Sequence, residues 1–231
     1  MTDGAPALDE EQRLRSAYAR RGPVEVKLAG NRGQAMIVAE RDRSLRAAVR
    51  ALPTPATQLL EIGCGDGPIV SALVAEGFAA KGFGLDILPE AIEQGRRNHP
   101  ELELHAGNAT ALPFEAGRFD VVLASTLLSS VPPGEIRRAV MAEVDRVLRP
   151  GGIFVWYDMR RRNPFNKDVQ PFLRSEMQAA LAGYDIHLRT LTVVPQIARR
   201  LGPLTRIGYP LLALLPILRT HSCGWARKPG A

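Results

Sequence analysis

The sequence predicts an α/β fold: a seven-stranded, mostly parallel sheet with helices on both faces. Three observations carry that expectation. An apolar run, Leu59 to Ile62, breaks into three alternate glycines, Gly63, Gly65 and Gly67, and a helix-type stretch follows at once. Short β-type runs then alternate with helix-type segments as far as Tyr157. A breaker, Arg149-Pro150-Gly151-Gly152, separates the last of these helices from a fifth buried-type run.

Taken in order, residues 9–50 place apolar and charged positions at helical spacing, with breaks near Gly22-Pro23 and around Gly30 to Gly33. They read as two helices ahead of the sheet, a helical cover over residues 1–52, with the second helix at 34–51. The first strand is expected at 58–62 and its helix at 68–76. A second strand at 81–85 ends on Asp86, and Pro89 opens a helix over 89–98. Strands follow at 102–106 and 119–124, then a helix at 133–148 and a strand at 153–157. Beyond a polar stretch at 160–168 come a helix (169–182), a strand (185–192), two proline-broken helices (195–201 and 209–218) and a last strand (222–227). The final two strands should form a hairpin-like edge. Residues 53–231 then make one domain, with a helical lid inserted at about 194–218.

Composition sets limits. A chain of 231 residues, 45% hydrophobic and 23% charged, suits one domain with a full core. No apolar run reaches the length of a membrane span, and the polar stretch from Met1 to Gln12 lacks the apolar centre of a secretory signal. Cys64 and Cys223 provide neither a disulfide framework nor zinc-site spacing, so a reduced, cytoplasmic setting is expected and no metal is called for. The net charge of +6 is dispersed apart from Arg160 to Arg162. That pattern suits a solvated basic surface better than a nucleic-acid patch.

Glycines at such a turn let the backbone approach a ligand, and the next helix points its N–H groups at it. A dinucleotide site would need Gly-x-Gly-x-x-Gly; here the third glycine comes one residue early. The tighter Glu61-x-Gly63-x-Gly65-x-Gly67 turn resembles the first motif of class I S-adenosylmethionine (SAM)-dependent methyltransferases. Later segments extend the resemblance over residues 58–157: Gly107-Asn108-Ala109 with Leu112-Pro113-Phe114, the strand Phe119 to Ser125, and Arg146 to Gly152. It implies a Rossmann-like sheet and SAM as cofactor. It also implies that Glu61, Gly63, Cys64 and Gly65 hold the donor at the turn, with Ser125 at the reactive end of the fourth strand.

Asp86 ends the second strand about twenty residues after the turn, where a carboxylate can accept from both ribose hydroxyls. Taken alone it fits a helix cap equally well; beside the glycine turn, ribose binding is the preferred reading, with Ile87 against adenine. Asn108 stands where the family often has Asp. Its amide both donates and accepts, so together with Ala109 it can still meet the adenine edge. Asp120, at the other end of its strand, reads as structural.

The acceptor side must come from the strand ends after the fourth and fifth strands, the N-terminal helices and the lid. Ser125-Thr126-Leu127-Leu128 lacks the Pro-Pro-aromatic signature of amino-methylating nucleic-acid enzymes and the Asp that magnesium-dependent catechol enzymes use. After the fifth strand, Asp158 is the expected general base, equally readable as a cap or an arginine partner. Tyr157, Arg160 and Asn163 are the expected substrate contacts. Among the four histidines, His99 reads as surface and His221 is the second candidate base. The C-terminal segment and Trp156-Tyr157-Asp158 are similar to bacterial methyltransferases of sugars and glycan precursors, which implies O-methylation of a saccharide hydroxyl. Two alternatives stay open: a lipid, quinone or other apolar acceptor served by the apolar 209–218 segment, or a non-catalytic SAM-binding module. An apolar lid or edge strand also offers a homodimer contact.

Overall fold

A computed structural model describes residues 30–162 and 169–230. The expected first helix and Asn163 lie outside the described residues. Helix α1 spans Arg32–Val49, after which strand β1 (Ala56–Ile62), α2 (Pro68–Ala75), β2 (Ala79–Asp86), α3 (Pro89–Asn98) and β3 (Glu103–Ala106) follow. Then come β4 (Phe119–Ser125), α4 (Glu135–Val147), β5 (Leu148–Met159), α5 (Arg174–Ala180) and β6 (Asp185–Val193). The connection back to the sheet holds α6 (Pro195–Arg200), a 3₁₀ turn (Gly202–Leu204), α7 (Thr205–Ala213) and a second 3₁₀ turn (Pro216–Leu218), before β7 (Arg219–Arg227).

The sheet order is β3-β2-β1-β4-β5-β7-β6. Neighbours from β3 to β5 are parallel; β7 runs antiparallel to both β5 and β6. The mostly parallel, seven-stranded architecture is therefore as expected. Its pleat sends alternate residues to opposite layers. Val122, Ala124, Phe154 and Trp156 pack with Val140, Met141 and Val144 of α4 and Met177 of α5. On the other face Val121, Leu123, Ile153 and Val155 pack with Leu45 and Val49 of α1, Leu73 of α2 and Ile92 of α3. Asp120 is structural, as read from sequence: its Oδ2 accepts from the Thr57 and Gln58 N–H groups at 2.8 Å each, and Oδ1 meets Arg149 Nε at 2.6 Å. It ties the start of β4 to that of β1.

Several boundaries differ from expectation, and three elements matter most. Strand β5 begins at Leu148 and reaches Met159, because β7 pairs with it as far as Met159 opposite His221. Helix α5 starts at Arg174, not Val169; Pro171 disfavours helix before it, and Gln170 and Phe172 instead donate to the Ser129 and Met159 carbonyls at 2.8 and 2.9 Å. Helix α7 starts earlier than expected and stops before Pro216, which opens a 3₁₀ turn. Helix α1 closes on α6 at Gly33, where any Cβ would collide with the Ala198 carbonyl.

Candidate functional site

A cavity of about 590 Å³ lies over the carboxyl ends of β1 to β5, within the size range of small-ligand sites. Its floor on the β1–β3 side is the glycine turn. Gly63, Gly65 and Gly67 have φ of +70°, +57° and +90°, values that glycine adopts without the penalty of a Cβ. Asp86 locks the turn, its Oδ2 accepting from Gly65 N–H at 2.8 Å while Oδ1 accepts from Leu88 N–H at 3.0 Å. The cap-like contact and the cavity-lining position thus belong to the same carboxylate, whose pKa burial raises. Cys64 is a buried filler packed over Gly84, where a Cβ would lie 2.7 Å from its Sγ.

Glu61 is buried beneath the turn and accepts from Val70 N–H of α2 at 3.2 Å. Removal from water pushes its carboxyl up to about 8. Asn108 Oδ1 accepts from Thr110 N–H and its hydroxyl at 3.0 and 2.9 Å, shaping the turn after β3. Ile87 and Ala109 also line this side. Ser125 lies at the end of β4, and its buried Oγ has no hydrogen-bond partner among the described residues. The next residue, Thr126, holds φ +58°, a strained conformation for a non-glycine residue that fixes the rim. Glycine turn, strand-end carboxylate, amide turn and orphaned hydroxyl all line this cavity.

The other half of the cavity departs from the expected acceptor site. Its walls include Ile37 and Val38 of α1, Leu127 and Val131 after β4, Val140 of α4 and Val169. Asp158 does not line it. Since β5 continues through 158, the pleat that turns Tyr157 and Met159 to the cavity turns Asp158 to the opposite layer. There its carboxylate is fully buried and accepts from the Ser129 and Met159 N–H groups at 3.1 and 2.7 Å. From there the expected base does not reach the cavity; it anchors the loop after β4. Arg160 is also away from the cavity, donating to the Arg219 carbonyl at 3.1 Å. Of the expected substrate contacts, Tyr157 lines the cavity.

His221 does line it, because antiparallel β7 begins where β5 ends. Its ring stacks on Tyr157 at 4.9 Å with 10° between planes. Thr220 Oγ1 donates to the Thr192 carbonyl at 3.1 Å and so accepts from His221 Nδ1–H at 2.9 Å. That assignment leaves Nε2 as a lone pair with no protein partner among the described residues. Burial lowers the imidazole to about 4, so it is neutral at pH 7. His99, by contrast, lies 3.7 Å from Glu101 in its loop.

Sequence reasoning missed the polar network behind this pair. Thr192, at φ +65°, donates to Glu40 Oε2 at 3.0 Å and therefore accepts from the Tyr157 hydroxyl at 2.9 Å. Tyr209 of α7 donates to the same Glu40 oxygen at 2.7 Å. Three elements distant in sequence, α1, β6 and α7, thus fix the Tyr157 ring on which His221 rests. The α1 and α6 residues Arg41 and Arg199 on the cavity wall were missed as well. The helical periodicity of 34–51 was the one available signal, and it does not say which face meets the site. No cluster of metal-binding side chains occurs among the described residues.

Comparison with known proteins follows this geometry. A family model described as a methyltransferase domain matches residues 60–156. A sterol 4-C-methyltransferase of Caenorhabditis elegans is 35% identical over 115 residues, covering 47% of this chain and 33% of the relative. A phthiotriol/phenolphthiotriol dimycocerosates methyltransferase of Mycobacterium tuberculosis is 40% identical over 108 residues, covering 46% and 39%. The chain spans between a third and a half of the length of such curated relatives. The N-methyltransferase NodS of Bradyrhizobium japonicum, solved with S-adenosyl-L-homocysteine, superposes with a TM-score of 0.70 at 14% identity, over 94% of this chain and 98% of that one. At that identity the likeness concerns the fold.

Proposed function

The chain carries a class I SAM-dependent methyltransferase domain, and from that premise we propose that it methylates an oxygen of a lipid-class acceptor, with His221 as the base. The observation that supports the acceptor class is the apolar half-cavity bounded by Ile37, Val38, Leu127, Val131 and Val169. Against the apolar stretches of these walls a saccharide would leave hydroxyls unpaired; Arg41 and Arg199 offer polar contacts on the wall, but those expected for a saccharide, Asp158 and Arg160, lie elsewhere. A sterol methyltransferase among the relatives agrees with an apolar acceptor.

When bound, SAM supplies a methyl group on a sulfonium. The turn at Gly63–Gly67 and the Asp86 carboxylate would hold the donor. The apolar walls orient the acceptor and keep water from its nucleophile. His221 Nε2, held in one tautomer by Thr220, would take the hydroxyl proton while the methyl passes from the donor sulfur to the acceptor oxygen, leaving the demethylated donor. Tyr157, stacked on that ring and tied through Thr192 to Glu40, keeps the imidazole in place.

Two tests address this reading. Incubation with methyl-labelled SAM and a panel of long-chain alcohols, prenylated phenols and oligosaccharides is expected to label the apolar acceptors. Labelling confined to oligosaccharides would sink the acceptor assignment. The second concerns the donor. A positive charge brought beside Glu61 would favour its ionised form, so its carboxyl, raised to about 8, is expected to lose its proton when SAM binds at neutral pH. SAM affinity is therefore expected to rise with pH, approaching tenfold per unit up to about 8. Without ligand, the stability from protonated Glu61 is fully present below 4.5 and is lost as pH rises through about 8. Calorimetry in buffers of different ionisation enthalpy reads the released proton; a flat affinity from pH 6 to 8 with no proton release removes Glu61 from the donor site.

A further inference from the structure

The connection between β6 and β7 presents an apolar stripe to solvent. Leu204, Ile207, Leu211 and Leu214 recur at helical spacing along the 3₁₀ turn and α7, and are 67%, 70%, 59% and 69% exposed. Thr205 and Tyr209, on the opposite side of α7, are buried, with Leu212 packed beside Tyr209. The outward side of the helix is thus largely apolar although the inward side, with Thr205 and Tyr209, already packs on the protein, the pattern of a helix covered on both sides. Leu215 and Ile217 extend the exposed surface, which exceeds the scattered apolar residues ordinary surfaces carry.

Charge identifies what covers it. No acidic residue follows Asp185, while Arg189, Arg199, Arg200, Arg206, Arg219, Arg227 and Lys228 do. Arg200 and Arg206, within the connection itself, are exposed. An apolar stripe flanked by cations, in a connection whose own sequence holds no carboxylate, complements an anionic lipid surface. A second copy docked face to face would instead set these arginines against themselves. The same connection contributes Pro195 and Arg199 to the cavity wall, so seating it on a bilayer brings the apolar half-cavity to the lipid.

We propose that residues 194–218 seat the protein on an anionic bilayer, with the α7 stripe at the headgroup–acyl boundary and Arg200 and Arg206 on lipid phosphates. The use of that seating, delivery of the acceptor, rests on the lipid-acceptor reading; the seating itself does not.

Sedimentation of the full chain with phosphatidylcholine vesicles, with and without phosphatidylglycerol, tests it. Partition is expected to be at least about tenfold stronger with the anionic lipid. The pair Ile207→Ser and Leu214→Ser should lower it by about tenfold or more, and Arg200→Gln with Arg206→Gln by about fivefold per arginine. SAM binding by calorimetry should stay at the wild-type value in both, which separates lost docking from lost folding. The serine pair should still methylate a detergent-dispersed acceptor. Equal partition into both vesicle types, or unchanged partition of either variant, overturns the proposal. So does a dimer in sedimentation velocity that the serine pair dissociates while vesicle binding is nil. Vesicle binding as expected, with no apolar acceptor labelled, leaves the seating standing and removes the lipid-acceptor reading.

Discussion

Replacing His221 by asparagine is expected to lower kcat about 100- to 1,000-fold, the range associated with loss of a positioned base, with SAM affinity unchanged. Asparagine can still donate toward Thr220 but offers no imidazole lone pair to the cavity. Since burial holds the wild-type ring near 4, kcat at saturating SAM should stay flat from pH 8 to about 5 and fall below that as the ring protonates. The same lowered value has a stability consequence of defined sign. The contribution of neutral His221 is present above 6.5 and is lost as pH falls through about 4. Steady-state rates with an apolar acceptor decide the matter: a variant keeping more than about a tenth of wild-type kcat would show that another group, or none, takes the proton. Tyr157→Phe, which cuts the tie to Thr192, should cost less than the His221 change because the stacked ring remains.

Replacing Arg137 by alanine is expected to destabilise the fold by roughly 3–5 kcal/mol, a large part of the 5–15 kcal/mol typical of whole domains. The side chain of Arg137 is almost fully buried in α4. Its Nη2 donates to the Val131 carbonyl at 2.7 Å, while Nη1 reaches Glu176 Oε2 at 2.8 Å and the Pro171 carbonyl at 3.3 Å. Truncation leaves those carbonyls dry and unpaired. Lysine should rescue little, because a single ammonium cannot span the fork geometry. The clamp also fixes the segments that carry Val131 and Val169, so surviving folded protein should bind acceptor more weakly than SAM. Urea unfolding measures the first effect; a loss under about 1 kcal/mol would mean that water replaces the guanidinium without strain.

The boundary between what was legible and what was not follows the range of the forces involved. The sequence by itself determined the strand–turn–helix units, the sheet class, the turn at Glu61 to Gly67 with Asp86 and Asn108 at neighbouring strand ends, and the structural role of Asp120. Each depends on chemistry within a few residues: a positive φ that only glycine takes easily, a proline in a first turn, a carboxylate at a strand end. The acceptor half was decided by tertiary structure. Asp158 seemed well placed while β5 was expected to end at Tyr157. Pairing with β7 carries the strand to Met159, and one residue of pleat then puts that carboxylate in the wrong layer. The same pairing brings His221 opposite Met159, and packing of α1 against α6 delivers Glu40, Ile37 and Val38 from more than a hundred residues away. Local backbone preference is written residue by residue. Which side chains face one another across a sheet edge is settled by long-range registry, which spacing along the chain does not encode.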